Sequence, residues 1–232
     1  MTSPINPQDI GKQKAGAAAA ELIKEGMVIG LGTGSTAKRL IEALGERVKN
    51  GLHIVGAVPS SDETAAYAAQ YNIPITNLDE HPELDIYIDG ADEIDPQLRL
   101  IKGAGGALLR EKIVATAAKR FVVIADPSKK VEQLGHKYPL PVEVVPLAVT
   151  PVKNRLARLG AQVAIRERNG QKFYTDSHNL VIDCTFPEGI TDPTALDATI
   201  HSIPGVIETG LFINLAKQII IGKPDGVEIY PQ

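Results

Sequence analysis

Between Asp89 and Lys112 the chain sets Asp89-Gly90-Ala91-Asp92-Glu93, then Lys102-Gly103-Ala104-Gly105-Gly106, then Arg110-Glu111-Lys112. Carboxylates, a lysine and a glycine-rich turn in one stretch suit proton transfer on an oxygen-rich substrate. A carboxylate takes the proton, a cation holds the oxyanion that forms, and glycines let backbone N–H groups come close. Plainer explanations stand beside this one. Asp caps turns for local hydrogen-bonding reasons. Glu111 opens a helix, where the dipole favours a carboxylate whatever its task. Paired carboxylates also suit magnesium, but the spacing is not that of a calcium loop and no phosphate-loop lysine accompanies it, so no metal is expected.

Gly32-Thr33-Gly34-Ser35-Thr36 follows the apolar run Met27–Leu31 and precedes a helical pattern. Glycines admit an anion, helix-end N–H groups point at it, and the hydroxyls add donors. The same residues would also make a tight turn with Ser35 or Thr36 as N-cap. They formally match the dinucleotide fingerprint, yet that needs an acid at the end of the next strand. Here that strand runs into Pro59-Ser60, and the first acid is Asp62. Lys129 and Lys130 follow a third apolar strand that ends at Asp126.

These residues need a scaffold that brings strand ends together. Asn6 and Pro7 open a helix running to Gly26. Strands are expected at 27–31, 53–58, 73–76, 84–89 and 121–126, and helices at 36–48, 62–71 and 107–119. Several strands are continuously apolar, the pattern of a parallel sheet covered on both faces. The fold class is therefore α/β, an open, mostly parallel, Rossmann-like sheet flanked by helices, with a second, smaller α+β domain. In such sheets ligands sit beyond the carboxyl ends of the strands. After about Gly135 the chain turns proline-dense. Strands fall at 142–145, 162–167, near Phe173, 180–183 and 206–212, with helices at 151–159 and 193–201 and a hairpin turn at Asn169-Gly170. The expected division is 1–130 plus about 213–232 for the main domain, and about 131–212 for the small one.

A formal charge of −4 with no basic run argues against nucleic acid, and 4% aromatic residues leave no base-stacking platform. No apolar window approaches a membrane span, and none near the N-terminus suits a signal peptide. The single cysteine, Cys184, fits a reducing compartment and reads as a small core residue. The expected location is cytoplasmic. The five histidines show no ligand spacing.

Taken together, Thr33-Gly34-Ser35-Thr36, Asp89-Gly90-Ala91-Asp92-Glu93-Ile94, Lys102 through Glu111, and Ala125-Asp126-Pro127-Ser128-Lys129 resemble ribose-5-phosphate isomerase of the A type. So do Pro139 to Pro146 and Ile203 to Phe212, and the resemblance covers essentially the whole chain. Ala104 departs from it, since many members carry glycine there. A side chain is tolerated if only the backbone matters.

The resemblance implies cofactor-free interconversion of ribose 5-phosphate and ribulose 5-phosphate by a homodimer or homotetramer. It puts Glu111 on the catalytic base and Asp89, Asp92 and Lys102 on the other active-site groups. Substrate contacts fall on Thr33, Gly34, Ser35, Thr36, Gly90, Ala91, Gly103, Ala104, Gly105, Lys129 and, outside any strong motif, Lys12. Aldose–ketose exchange through an enediolate needs one base serving both carbons, which is Glu111. It needs a cation at the oxyanion, Lys102, and a group to open the furanose ring, Asp89 first and Asp92 second. The rivals are a related sugar-phosphate isomerase or amino-sugar phosphate deaminase, a non-catalytic sugar-phosphate sensor, and a nicotinamide dehydrogenase.

Overall fold

The computed structural model describes residues 6–231. In chain order its elements are α1 (Pro7–Ala20), β1 (Val28–Leu31), α2 (Ser35–Lys49), β2 (Gly56–Pro59), α3 (Asp62–Ala69), β3 (Ile86–Asp89), β4 (Glu93–Ile94) and β5 (Leu100–Ile101). There follow α4 (Leu108–Ala117), β6 (Phe121–Ala125), β7 (Leu140–Val144), α5 (Val149–Arg158), β8 (Gln162–Ile165), β9 (Glu167–Arg168) and β10 (Gln171–Lys172). The last are β11 (Leu180–Thr185), α6 (Pro193–His201), β12 (Val206–Thr209), β13 (Leu211–Phe212), β14 (Ala216–Lys223) and β15 (Gly226–Tyr230). Contacts divide the chain into two units.

The first unit takes in residues up to Ala91, then Arg110–Lys129, then the chain from Leu215. Its sheet has the order β15-β14-β6-β3-β1-β2, parallel throughout except for the β14–β15 hairpin. β6 is buried at all five positions, as the continuous apolar run requires, whereas edge strand β15 alternates half-buried and exposed residues. Helix α2 buries Leu40, Ile41 and Leu44 in the core with Ile29, Leu31 and Ile88. Each such side chain contributes roughly 1.5–3 kcal/mol. Asn6 caps α1, accepting from Gln8 N–H at 3.0 Å, with Pro7 at the first position. The helix stops at Ala20, short of the expected Gly26, because Leu22 and Ile23 turn back to bond Ala19 and Ala20, seating Ile23 in the core. The expected strand at 73–76 reduces to one bridge, Ile75 with Ala57. Pro74 there has no N–H to offer a ladder.

The second unit holds Asp92–Leu109 and Lys130–Asn214. A four-stranded antiparallel sheet, β12-β7-β11-β8, surrounds a core of Val142, Val144, Val152, Leu156, Ile182 and Ile200. The hairpin turn at Asn169-Gly170 joins β9 to β10 with both residues at positive φ, 55° and 73°. Cys184 is fully buried among these side chains, and burial pushes its thiol up to about 12. The expected strand 206–212 is two strands in two sheets. They break at Gly210, whose N–H donates to Pro141 O at 2.8 Å. Residues 92–109, expected with the main domain, group here because β4 and β5 pair with each other and β5 pairs with β13. Among the described residues no helix is long and apolar enough to cross a membrane.

Candidate active site

In the first unit, Thr33–Thr36 follow β1, Asp89 ends β3, and Lys129 closes a short helical turn after β6. Asp89 is fully buried. Its Oδ1 accepts from Thr33 N–H at 2.9 Å and Gly90 N–H at 2.6 Å, and its Oδ2 accepts from the Tyr87 hydroxyl. Gly32 makes this possible: a Cβ there would stand 2.0 Å from Asp89 Oδ1. The Thr33 hydroxyl is engaged with Ser60, Ser61 and Thr64 at 2.8, 2.9 and 3.2 Å, so it holds the turn to the start of α3. Neither Ser35 nor Thr36 is an N-cap. That position is Gly34 at φ 98°, which makes no side-chain cap bond, and the first turn of α2 carries no acid. The positive end of a helix dipole favours anions in general. Ser35 is exposed there and Thr36 is buried.

Glu111 lies in the first turn of α4 and is only 5% exposed, which separates it from a carboxylate placed at a helix start merely for the dipole. One turn on, Val114 packs where Gly30 leaves room. A Cβ on Gly30 would meet Val114 Cγ1 and Tyr87 Cδ2, both at 2.6 Å. Residues i and i+3 share a helix face, so Glu111 is carried towards Tyr87 and Asp89. Burial first, then the charges of Asp89 and Glu111, hold the Tyr87 hydroxyl well above its ordinary pKa, keeping it a donor to Asp89. Lys129, and Lys12 on α1, are half-buried.

The second unit supplies Asp92, Lys102 and the glycine turn. Asp92 is half-buried, and its Oδ2 accepts from Ala104 N–H at 2.9 Å. Lys102 is 2% exposed, its N–H bonds Gly210 O at 2.9 Å, and its Nζ lies 5.6 Å from the centre of the Phe212 ring. Gly103 has φ 101°, a conformation favouring glycine. The Ala104 methyl is exposed, so its departure from glycine meets no obstruction. Two other acids of the stretch hold loops. Glu93 accepts from Gly135, Lys137 and Tyr138 N–H groups, and Asp95 from Gln97 and Arg99.

Thr33 and Gly90 are thus gathered on Asp89 with Glu111 nearby, and Ala104 on Asp92 in the turn after Lys102. Gly34, Ser35 and Thr36 stay on the α2 start, Ala91 ends the first unit's segment, and Lys12 sits on a separate helix. Sequence reasoning passed over Tyr87, although the two-residue period of a strand puts it on the face of Asp89. It also passed over the Ser60–Ser61–Thr64 hydroxyls and Arg166, whose neighbours are distant in sequence. Of the histidines, His201 bonds Glu208 at 2.8 Å and lies 3.3 Å from Asp197. Ligand atoms of these three lie within 4.8 Å of one another.

The chain's relatives are aldose–ketose isomerases. Residues 56–226 match the family model described as ribose 5-phosphate isomerase A (phosphoriboisomerase A). Ribose-5-phosphate isomerase A of Parvibaculum lavamentivorans is 50% identical over 228 residues, covering 95% of this chain and 97% of its own. The solved ribose 5-phosphate isomerase A of Methanocaldococcus jannaschii is 42% identical with a TM-score of 0.90, over 95% of this chain and 98% of that one. A solved D-ribose-5-phosphate isomerase in complex with phospho-erythronic acid is 40% identical with a TM-score of 0.91, over 95% and 97%. The chain belongs to the ribose 5-phosphate isomerase A family.

Proposed function

We propose that the chain interconverts D-ribose 5-phosphate and D-ribulose 5-phosphate through an enediolate, with Glu111 moving the proton between C1 and C2. The observation that carries this is a glutamate 5% exposed on the first turn of α4, set towards the Tyr87–Asp89 pair. Lys102 stabilises the oxyanion. The α2 start with Gly34, Ser35 and Thr36, helped by Lys129 and Lys12, anchors the phosphate, and that remote binding orients the reacting carbons. Phospho-erythronic acid, the ligand of one relative, carries a planar anionic carboxylate on a phosphorylated chain, which imitates an enediolate.

For ring opening, Asp92 is favoured over Asp89. Asp89 is fully buried with three donors on its oxygens, which suits it to fixing the GTGST turn. Asp92, half-buried at the pivot of the glycine turn, is the better proton carrier. The reaction needs no cofactor and belongs to the non-oxidative branch of the pentose phosphate pathway. A cytoplasmic homodimer or homotetramer completes the proposal.

Equilibration in 2H2O tests the enediolate. Solvent deuterium should enter ribose C2 and ribulose C1. Isomerisation with no exchange after many turnovers would mean a hydride shift, and Glu111 would lose its role.

A further inference from the structure

Arg166 follows β8, far in sequence from every residue assigned above, and its side chain is 13% exposed. Its guanidinium is engaged on both sides. Nε donates to Asp183 Oδ2 at 2.9 Å and Nη2 to Asp183 Oδ1, a bidentate fork. Nη1 donates to two successive carbonyls of the glycine turn, Gly103 O at 2.7 Å and Ala104 O at 3.2 Å. From the other side Asp92 takes the Ala104 N–H at 2.9 Å, and the turn closes on itself through Gly106 N–H to Gly103 O at 2.9 Å.

A trans peptide is planar, with its C=O and N–H pointing opposite ways. Drawing the Ala104 carbonyl to Arg166 therefore turns the Gly105 N–H away from the guanidinium. Gly103 and Gly105 are glycines with wide conformational freedom, so the turn has no intrinsic reason to hold one geometry. We propose that Arg166, backed by Asp183, is a positioning residue: it fixes the glycine turn so that the Gly105 N–H and the Asp92 carboxylate meet the sugar in one orientation. This rests on the proposed isomerase reaction and deepens it. A lysine is no substitute. A single ammonium on a flexible stem cannot fork a carboxylate and bridge two carbonyls together.

A cavity of about 320 Å³, lined by Asp92, Ala104, Tyr138, Arg166, Arg168 and Asp183, lies beside the guanidinium and gives a small cation access to it. Chemical rescue is therefore feasible. Arg166→Ala should lower kcat about a hundredfold, as expected for a displacement near 1 Å at reacting groups, with KM changed far less. Added guanidinium should restore kcat at least tenfold in Arg166→Ala and not at all in Glu111→Gln. Arg166→Lys should stay near the alanine level. The double variant Arg166→Ala/Asp183→Ala, which leaves no unpaired charge, keeps the test open if the single variant fails to fold. It should show the same kcat loss with a Tm close to that of wild type. A folded Arg166→Ala within threefold of wild-type kcat, or full recovery in Arg166→Lys, overturns the proposal. If the wild type itself turns over no ribose 5-phosphate, the isomerase reading fails separately. Amide exchange at Gly106 then decides the clamp: faster exchange in Arg166→Ala supports it, and unchanged exchange sinks it.

Discussion

Gly32→Ala is the sharpest probe of how the strand ends are built. The backbone there lies outside the left-handed region, so alanine brings no conformational strain of its own and the effect is steric. Its Cβ would stand 2.0, 2.2 and 2.4 Å from Oδ1, Cγ and Cβ of Asp89. Carbon contacts are comfortable near 3.5 Å, so the aspartate must retreat by about 1.5 Å. It has nowhere to go, being fully buried and bonded to Thr33, Gly90 and Tyr87. Overpacking costs about 1–3 kcal/mol. Losing one hydrogen bond to a charged group adds about 1.5–3 kcal/mol. Together they come to about 2.5–6 kcal/mol, or a Tm lower by roughly 5–24 °C at this chain length. Isomerase activity should fall about a hundredfold in the surviving fold, since the GTGST turn moves with Asp89. Thermal melts read by circular dichroism, beside a ribose 5-phosphate assay, measure both. A Tm within 2 °C of wild type with normal turnover would refute the reasoning. Gly34→Ala is the contrasting case, because no atom lies within 4 Å of its Cβ and φ is 98°. It should lose roughly 1–3 kcal/mol to backbone strain alone.

Two stability predictions follow from titratable groups in the second unit. His201 is raised to about 10 by hydrogen bonds to Asp197 and Glu208. A raised base stabilises fully below its unfolded pKa near 6.5, and the gain is lost as pH climbs through the folded value. The side chain is 37% exposed, so solvent screening leaves about 1–2 kcal/mol. Tm should therefore fall between pH 7 and pH 10 in wild type and less in His201→Gln; parallel curves would disprove the ion pairs. Burial raises the Glu143 carboxyl above its ordinary 4.5, opposed by hydrogen bonds from Asn179 and Thr175. A raised acid destabilises as pH rises past the unfolded value, so Glu143→Gln should gain on wild type from pH 4 to pH 7. A constant gap between the two would show that Glu143 does not titrate there.

Much of the first unit was legible because its strands are continuously apolar and its helices carry 3.6-residue spacing. The turn Gly32–Thr36 and the acids after β3 could be placed at strand ends from those patterns. What failed did so for physical reasons. Pro74 removed a ladder donor from an otherwise strand-like run, and Gly210 split one expected strand between two sheets. Two-residue strands such as β4 and β5 are too short to show any period, so residues 92–109 gave no hint of joining the second unit. The acids of Asp89–Asp95 looked alike in sequence. Burial and partners separate Glu93 and Asp95, which tie loops, from Asp92, which meets the glycine turn. Arg166 left no local signal, because its bonds to Gly103, Ala104 and Asp183 span long sequence separations.

The most direct test of Glu111 as base compares wild type with Glu111→Gln in a coupled ribose 5-phosphate assay after chelator treatment. The expected result is wild-type turnover that survives chelation, a variant kcat lower by several powers of ten, and nearly unchanged sugar-phosphate binding. A Glu111→Gln enzyme with kcat near that of wild type would contradict the mechanism at its centre.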